Sequence, residues 1–499
     1  MASVTDTDSS QLILIRRSNF PEDFVFGAAS SAYQYEGAVY DYANGGIGIH
    51  YGKGLSIWDT FTKNHPERVV DHSNGDKAVD EYHRYKEDVA LMKDIGFDVY
   101  RFSIAWSRIF PTGKLCGGVN QQGVGYYHNL IDEMLANGIK PYVTLFHWDV
   151  PQDLETEYGG FLNLQIVDDF RDFAEFCFKE YGQKVKHWIT LNEPVMFASK
   201  GYGTGELAPG RGAEWDPSRY LGGNSGTEPY TVGHHLILAH AAAANLYKTK
   251  YQADQKGEIG ITLASTWYIP YSDSEEDNKA RDRAYDFSLG WMLHPIVYGD
   301  YPQSMRDLVG WRLPKFTKDE TTFIMNSFDF LGINYYTANY AKHNPNSVHR
   351  GESYLNDIHA TLSTDRDGIS IGPKADPKSW IAVYPEGIQD LLIYIKDNYH
   401  NPVIYITENG YLDFDSPNAK HLIRDEGRAK YIHDHLIYIL KALKDGVRVR
   451  GYFAWSLLDN FEWARGYTMR FGLIFVDFNK NLMRIPKDSS KWFHHFLKT

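Results

Sequence analysis

Cysteine is scarce in this chain: its 499 residues hold two, Cys116 and Cys177, which excludes a disulfide-stapled fold and leaves both expected as free thiols. Long hydrophobic runs are missing as well. No stretch nears the about 20 consecutive apolar residues of a membrane-spanning helix, so no membrane association is expected. The polar residues 1–10, with Asp6 and Asp8, are followed only by the short apolar run 12–15 before Arg16 and Arg17. That opening lacks the regions of a secretion signal, and its acids argue against a transit peptide. With no Asn-x-Ser/Thr sequon and no terminal retention tetrapeptide, the chain reads as an intracellular, cytoplasmic protein. A flexible N-terminal segment is expected at 1–17, ahead of a folded unit at 18–499. Basic charge is in deficit: 51 Lys and Arg against 64 Asp and Glu give a net charge of -13. No basic stripe overrides it, which disfavours nonspecific attraction to nucleic acid, so no nucleic-acid partner is expected.

Cofactor and metal signatures are absent too. The first strand-like run leads into Gly27-Ala28-Ala29-Ser30-Ser31-Ala32-Tyr33, which is not the Gly-x-Gly-x-x-Gly turn that cradles a pyrophosphate. No Gly-x-Ser-x-Gly elbow follows a strand. His234, His235 and His240 miss the four-residue spacing that puts two histidines on one helical face, so they read as helix packing. No metal and no cofactor are expected.

What the chain does have is aromatic surface and alternation. Its 12 Trp and 36 Tyr exceed what core filling needs and suit sugars or flat rings. Short β-rich runs at 24–28, 99–104, 141–146, 188–191, 259–263, 328–333, 403–407 and 451–455 alternate with amphipathic helical periods. Examples are Ala78, Tyr82, Tyr85, Val89, Met92 and Ala429, Ile432, Leu436, Ile439, Leu443. Eight strands joined by crossover helices close most naturally as a single (β/α)8 TIM barrel of the α/β class, with chemistry in long loops at the strands' C-terminal ends. A doubly wound sheet is the alternative fold. The polar, nonperiodic stretch 341–377 is expected as a long loop on the rim of the pocket.

Two of the runs stop on a glutamate: Trp188-Ile189-Thr190-Leu191-Asn192-Glu193-Pro194 and Val403-Ile404-Tyr405-Ile406-Thr407-Glu408-Asn409-Gly410. One such carboxylate is commonly half of a strand-end salt bridge, but two at the mouth of one barrel suggest a catalytic pair. Other strand ends carry Gln34, His147-Trp148, Asn334-Tyr335-Tyr336, Trp455 and Asn460-Phe461-Glu462-Trp463. Amide, imidazole, indole and carboxylate groups are what a pyranoside asks for, because each ring hydroxyl both donates and accepts and loses hydration in a closed site. Glu462 would accept from two hydroxyls, Gln34 and His147 would define others, and Trp455 would lie on the apolar ring face. Tyr33, Tyr335 and Phe461 read as packing.

These segments, with Ser56-Ile57-Trp58-Asp59-Thr60-Phe61, Tyr100-Arg101-Phe102-Ser103, Tyr384-Pro385 and Arg470-Phe471-Gly472, resemble glycoside hydrolase family 1 in its plant β-glucosidase branch, over nearly the whole chain. The resemblance implies a retaining β-glycosidase with Glu193 as acid/base and Glu408 as nucleophile. Carboxyls in retaining enzymes lie about 5 to 5.5 Å apart, so an ionised Glu408 would keep Glu193 protonated until the covalent ester forms. It further implies Arg101 and Tyr336 beside the nucleophile. Gln34, His147, Trp148, Asn192, Asn334, Trp455, Glu462 and Trp463 would surround a glucosyl ring, and Trp380, Val195 and Phe197 would face the aglycone of a small-molecule β-glucoside. Val195 stands where the plant pattern has Trp, 39–55 is longer than usual, and 211–225 lacks two cysteines that relatives often bridge. Plant specialised metabolism follows, with indole-alkaloid glucosides of the raucaffricine and strictosidine kind as one class. A transglucosidase and a noncatalytic sugar-binding barrel stay as alternatives.

Overall fold

The computed structural model describes residues 15–39, 52–345 and 352–499. Residues 1–14 of the expected N-terminal segment and 40–51 of the lengthened stretch fall outside this description. Ile15 is already buried and Arg17 lies over the Phe26 ring, so the last residues of the expected flexible segment belong to the packed body.

Eight parallel strands form a closed barrel: β1 (Val25–Ala29), β2 (Val99–Ser103), β3 (Lys140–Phe146), β4 (His187–Asn192), β5 (Glu258–Ala264), β6 (Phe330–Asn334), β7 (Ile404–Asn409) and β8 (Val449–Trp455). Each lies within about two residues of its expected range. Each strand hydrogen-bonds to its sequence neighbours, and β8 closes on β1 with Val25 opposite Gly451. The strands are buried almost throughout because helices cover the outside and side chains fill the inside, and Val99–Ser103 is buried at every position. On the outer layer, the helix Gln165–Tyr181 buries Ile166, Phe170, Phe173 and Cys177 at helical spacing.

The barrel is plugged from below. Tyr142 stacks on His187 at 4.0 Å and meets Tyr405 at 5.5 Å and Phe453 at 5.0 Å, and Phe330 meets Tyr405 at 5.2 Å. Open space is thereby confined to the strands' C-terminal ends.

Two expectations need correction. Ala78 is not helical: it has φ 47°, and the helix spans Glu81–Ile95, so the apolar period begins in the turn before it. The stretch 341–377 is not a structureless loop. Ala338–His343 pairs antiparallel with Ala360–Ser363 and parallel with Trp267–Pro270, and Asp365–Arg366 pairs with Ile369–Ser370. None of its described residues lines the central cavity. The loop that lacks cysteines is held by a two-pronged ion pair instead, Arg211 Nε to Glu228 Oε2 at 2.9 Å and Nη2 to Oε1 at 2.7 Å.

Gly332 in β6 shows how little room the interior leaves. A Cβ there would sit 2.3 Å from Thr262 Oγ1 and 2.8 Å from Thr407 Cγ2. Gly332→Val is therefore expected to lower stability by about 1–3 kcal/mol, read as a lower urea midpoint, and an unchanged midpoint contradicts this packing.

Candidate active site

A cavity of about 410 Å³ opens at the C-terminal ends of the strands, and both Glu193 and Glu408 line it. They are 8% and 4% exposed. Local backbone irregularity aims them. Pairing slips between Ile189 and Asn192 on β4 and between Ile406 and Glu408 on β7, and such bulges redirect side chains at strand ends. Glu193 adopts a left-handed backbone, φ 46° and ψ 56°, as the cap of the helix Pro194–Tyr202. Pro194 suits the first helical position because its missing N–H would be unpaired there anyway, and the Glu193 N–H donates to Thr262 O at 2.9 Å. A non-glycine residue in this conformation costs about 1 kcal/mol, a strain tolerated where the surroundings fix it.

Glu408 sits between two donors. Arg101, wholly buried on β2, donates from Nη1 to Oε1 at 2.6 Å, and the Tyr336 hydroxyl donates to Oε2 at 2.7 Å. The same guanidinium donates from Nη2 to Asn192 Oδ1 at 2.5 Å. Asn334 Nδ2 donates to Glu193 Oε1 at 2.7 Å and to Asn192 Oδ1 at 3.2 Å, while Thr407 Oγ1 donates to Asn334 Oδ1 at 2.7 Å. The two glutamates are thus held by one network spanning four strands. It includes Arg101 and Tyr336, expected beside the nucleophile, and also Asn192 and Asn334, which were expected only around the glucosyl ring.

The electrostatics differ between the carboxyls. Burial first and the Glu408 charge second push Glu193 up to about 8, against the opposing Asn334 hydrogen bond. Burial, then Glu408, pushes Glu462 up to about 8 also, opposed by Trp455 and Gln34. Several acids in one desolvated pocket are not all ionised together. Burial, followed by the Arg101 charge, drives His147 well below its ordinary value. The Tyr336 hydroxyl is held well above its own by burial and then by Glu408. Near neutral pH the site therefore offers protonated Glu193, neutral His147 and a phenol donor.

Around this core the aromatic residues converge. Trp148 donates from Nε1 to Asn192 O at 2.9 Å, and its ring meets Trp463 at 4.8 Å. His147 accepts from Asn192 Nδ2 at 2.9 Å and stacks near Trp455 and Trp463 at 6.0 and 5.9 Å. Glu462, Trp455 and Trp463 line the cavity. Gln34 does not. Its amide is spent behind the wall, donating to Asn460 Oδ1 at 2.9 Å and Phe461 O at 2.8 Å and accepting from Ser31 at 2.7 Å. It fixes the 460–462 turn and reaches Glu462 Oε2 only at 3.5 Å.

Of the three residues expected to face an aglycone, Val195 and Trp380 line the cavity and Phe197 does not. It is buried against Phe146 at 5.2 Å and Phe161 at 5.7 Å. Two residues along a helix turn about 200°, so a cavity-facing Val195 sends Phe197 to the opposite side. Met196, Lys200, Glu206, Tyr268 and Ser288 also line the cavity and were missed. Met196 and Lys200 share a face at i,i+4, a signal available in the sequence once Val195 is placed. Among the described residues no group of three or more His, Cys, Asp or Glu is arranged to hold a metal ion.

The chain is similar to known proteins over nearly its whole length. The chain matches the profile described as Glycosyl hydrolase family 1 over residues 16–499. It is 54% identical over 485 residues to "Beta-glucosidase 12" of Oryza sativa subsp. indica, covering 97% of this chain and 93% of that one. It is 51% identical over 508 residues to "Raucaffricine-O-beta-D-glucosidase" of Rauvolfia serpentina, covering 97% and 92%. Among solved structures, a mutant of the rice β-glucosidase Os3BGlu6 in a covalent complex with Glc superposes with a TM-score of 0.93 at 50% identity, covering 97% of this chain and all of the other. With its barrel, its paired glutamates and these relatives, the chain belongs to glycosyl hydrolase family 1, in its plant β-glucosidase branch.

Proposed function

We infer that the protein is a retaining β-glucosidase that hydrolyses O-β-D-glucosides of a bulky plant specialised metabolite by double displacement. The observation that carries this reading is the division of labour between the two carboxyls of one cavity. Glu408 accepts from Arg101 and Tyr336, an acceptor-only setting for attack on the anomeric carbon, while Glu193 is pushed up to about 8 and carries the proton the leaving oxygen needs. Attack forms a glucosyl ester on Glu408 and expels the aglycone as its alcohol with the Glu193 proton. Once the ester removes the Glu408 charge, one cause of the raised Glu193 value is gone, and Glu193 takes a proton from the incoming water. Water then releases glucose with its β configuration and regenerates both carboxyls. Neutral His147 and Glu462, itself pushed up to about 8 and so protonated near neutral pH, can exchange hydrogen bonds with ring hydroxyls, and Trp455 supplies an apolar face. Val195, Met196 and Trp380 among the lining residues suit a large apolar aglycone, and the relative named for raucaffricine supports one of the indole-alkaloid kind.

Glu408→Gln is expected to reduce turnover of 4-nitrophenyl β-glucoside on the order of 10³-fold or more, and near-normal rates would refute the role. Glu193→Ala should lose about 10²–10⁴-fold on poor leaving groups, with azide restoring rate and yielding β-glucosyl azide. Rescue that gives the α product, or no rescue, contradicts the assignment.

The pH profile carries a signed test. Glu193 acts in its acid form, so activity is present below about 8 and lost as pH rises through that value. For an alkyl β-glucoside kcat/KM should fall along that limb. For a 2,4-dinitrophenyl β-glucoside, whose leaving group needs no proton, the Glu193 contribution should vanish, leaving only what Glu462 adds. Limbs that coincide for the two substrates contradict Glu193 as the acid.

A further inference from the structure

The mouth of the cavity carries charge that the double displacement does not use. Lys200, at the end of the helix Pro194–Tyr202, donates from Nζ to Glu206 Oε2 at 2.5 Å, and Arg465 stands with Nη2 3.9 Å from Glu206 Oε1. All three residues line the cavity. Their side chains are 35%, 49% and 30% exposed for Lys200, Arg465 and Glu206, whereas the two reacting glutamates are nearly covered. Charge is therefore layered: acids on the floor, and two cations around one acid at the rim.

The cations dominate that rim. Burial works to raise the Glu206 carboxyl, yet the Lys200 charge and hydrogen bond, followed by Arg465 and Arg219, hold it below its ordinary value. Glu206 occupies only part of what surrounds it. Of the three N–H donors on Lys200, one is engaged with Glu206. Among the described residues the Arg465 guanidinium makes its ion-pair contact at 3.9 Å and no side-chain hydrogen bond. A planar five-donor group left in this state at the edge of a cavity that also presents Met196, Leu207 and Ala464 is suited to a carboxylate.

Resting on the glycosidase reading above, we propose that Lys200 and Arg465 form an anion-binding subsite at the outer end of the aglycone pocket, selecting glucosides whose leaving group bears a carboxylate. The apolar lining residues Val195, Met196 and Leu207 of the same cavity then receive the body of the aglycone. Glu206 competes with the substrate carboxylate for the same two cations and keeps them in place when the pocket is empty.

The test uses a matched pair, the β-glucosides of 3-(4-hydroxyphenyl)propanoate and of its methyl ester. The saturated linker keeps the acidity of the two phenols alike, so chemistry at the glycosidic bond is matched and only the distal charge differs. The acid is expected to exceed the ester in kcat/KM by about fivefold, the scale of one half-exposed ion pair, and the ratio should fall toward one as salt is raised. Lys200→Met and Arg465→Met should each lower the ratio. Glu206→Gln should raise it, a direction that general damage to the loop does not produce. Inhibition constants of the two free aglycones report the same preference without turnover. A ratio at or below one, or a ratio unmoved by the three variants, beside normal cleavage of 4-nitrophenyl β-glucoside overturns the subsite alone. Failure to cleave 4-nitrophenyl β-glucoside counts against the hydrolase reading, and the inhibition constants then still decide the subsite.

Discussion

A single buried guanidinium ties this barrel to its chemistry. Arg101 is fully enclosed, and a charge in that position is tolerated only if it is paired and hydrogen-bonded. It meets Glu408 at 2.6 Å and Asn192 at 2.5 Å, so it joins β2, β7 and β4 at one point. Strands that far apart in the chain come together at that point because the sheet closes into a cylinder. The desolvation that makes Arg101 expensive alone is the same desolvation that makes its hydrogen bonds strong, and it orients the carboxylate that would attack.

Around that contact the pocket separates protonation states by environment. Glu193 and Glu462 are raised by burial and by the Glu408 charge, whereas Glu408 itself has the guanidinium and the Tyr336 hydroxyl as donors. Asn334 couples the two halves, since it contacts Glu193 directly and accepts from Thr407, the residue before Glu408. Trp148, Trp455 and Trp463 line this region with low-polarity surface, which favours the separation. Farther out the environment changes character, from neutral and aromatic to a rim where Lys200, Glu206 and Arg465 are partly exposed.

Much of this was legible in the sequence. Parallel strands covered on both sides appear as nearly unbroken apolar runs with polar residues at their ends, which is why all eight barrel strands and the pair Glu193 and Glu408 could be located. Roles within the pair rested on resemblance. What was not legible required three-dimensional register. Phe197 looks like a pocket aromatic two residues from Val195 until the helix after Pro194 is oriented. Gln34 carries the right chemistry, yet its amide is consumed by Ser31, Asn460 and Phe461. Lys200 and Glu206 resemble any solvated pair on a helix end and loop. One miss had a readable signal: Asp367-Gly368 lies between the short paired strands, with φ values of 52° and 79°, and an Asp-Gly step is a hairpin mark inside a stretch otherwise taken for loop.

The account stands on Glu193 and Glu408 acting across one anomeric carbon, and trapping the intermediate addresses it most directly. The protein would be incubated with 2,4-dinitrophenyl 2-deoxy-2-fluoro-β-glucoside, whose fluorine slows release of the ester, then digested and analysed by mass spectrometry. One fluoroglucosyl group on Glu408, with free β-glucose as the first product from unmodified substrate, is the expected result. A label on another residue, or α-glucose formed first, would contradict the account.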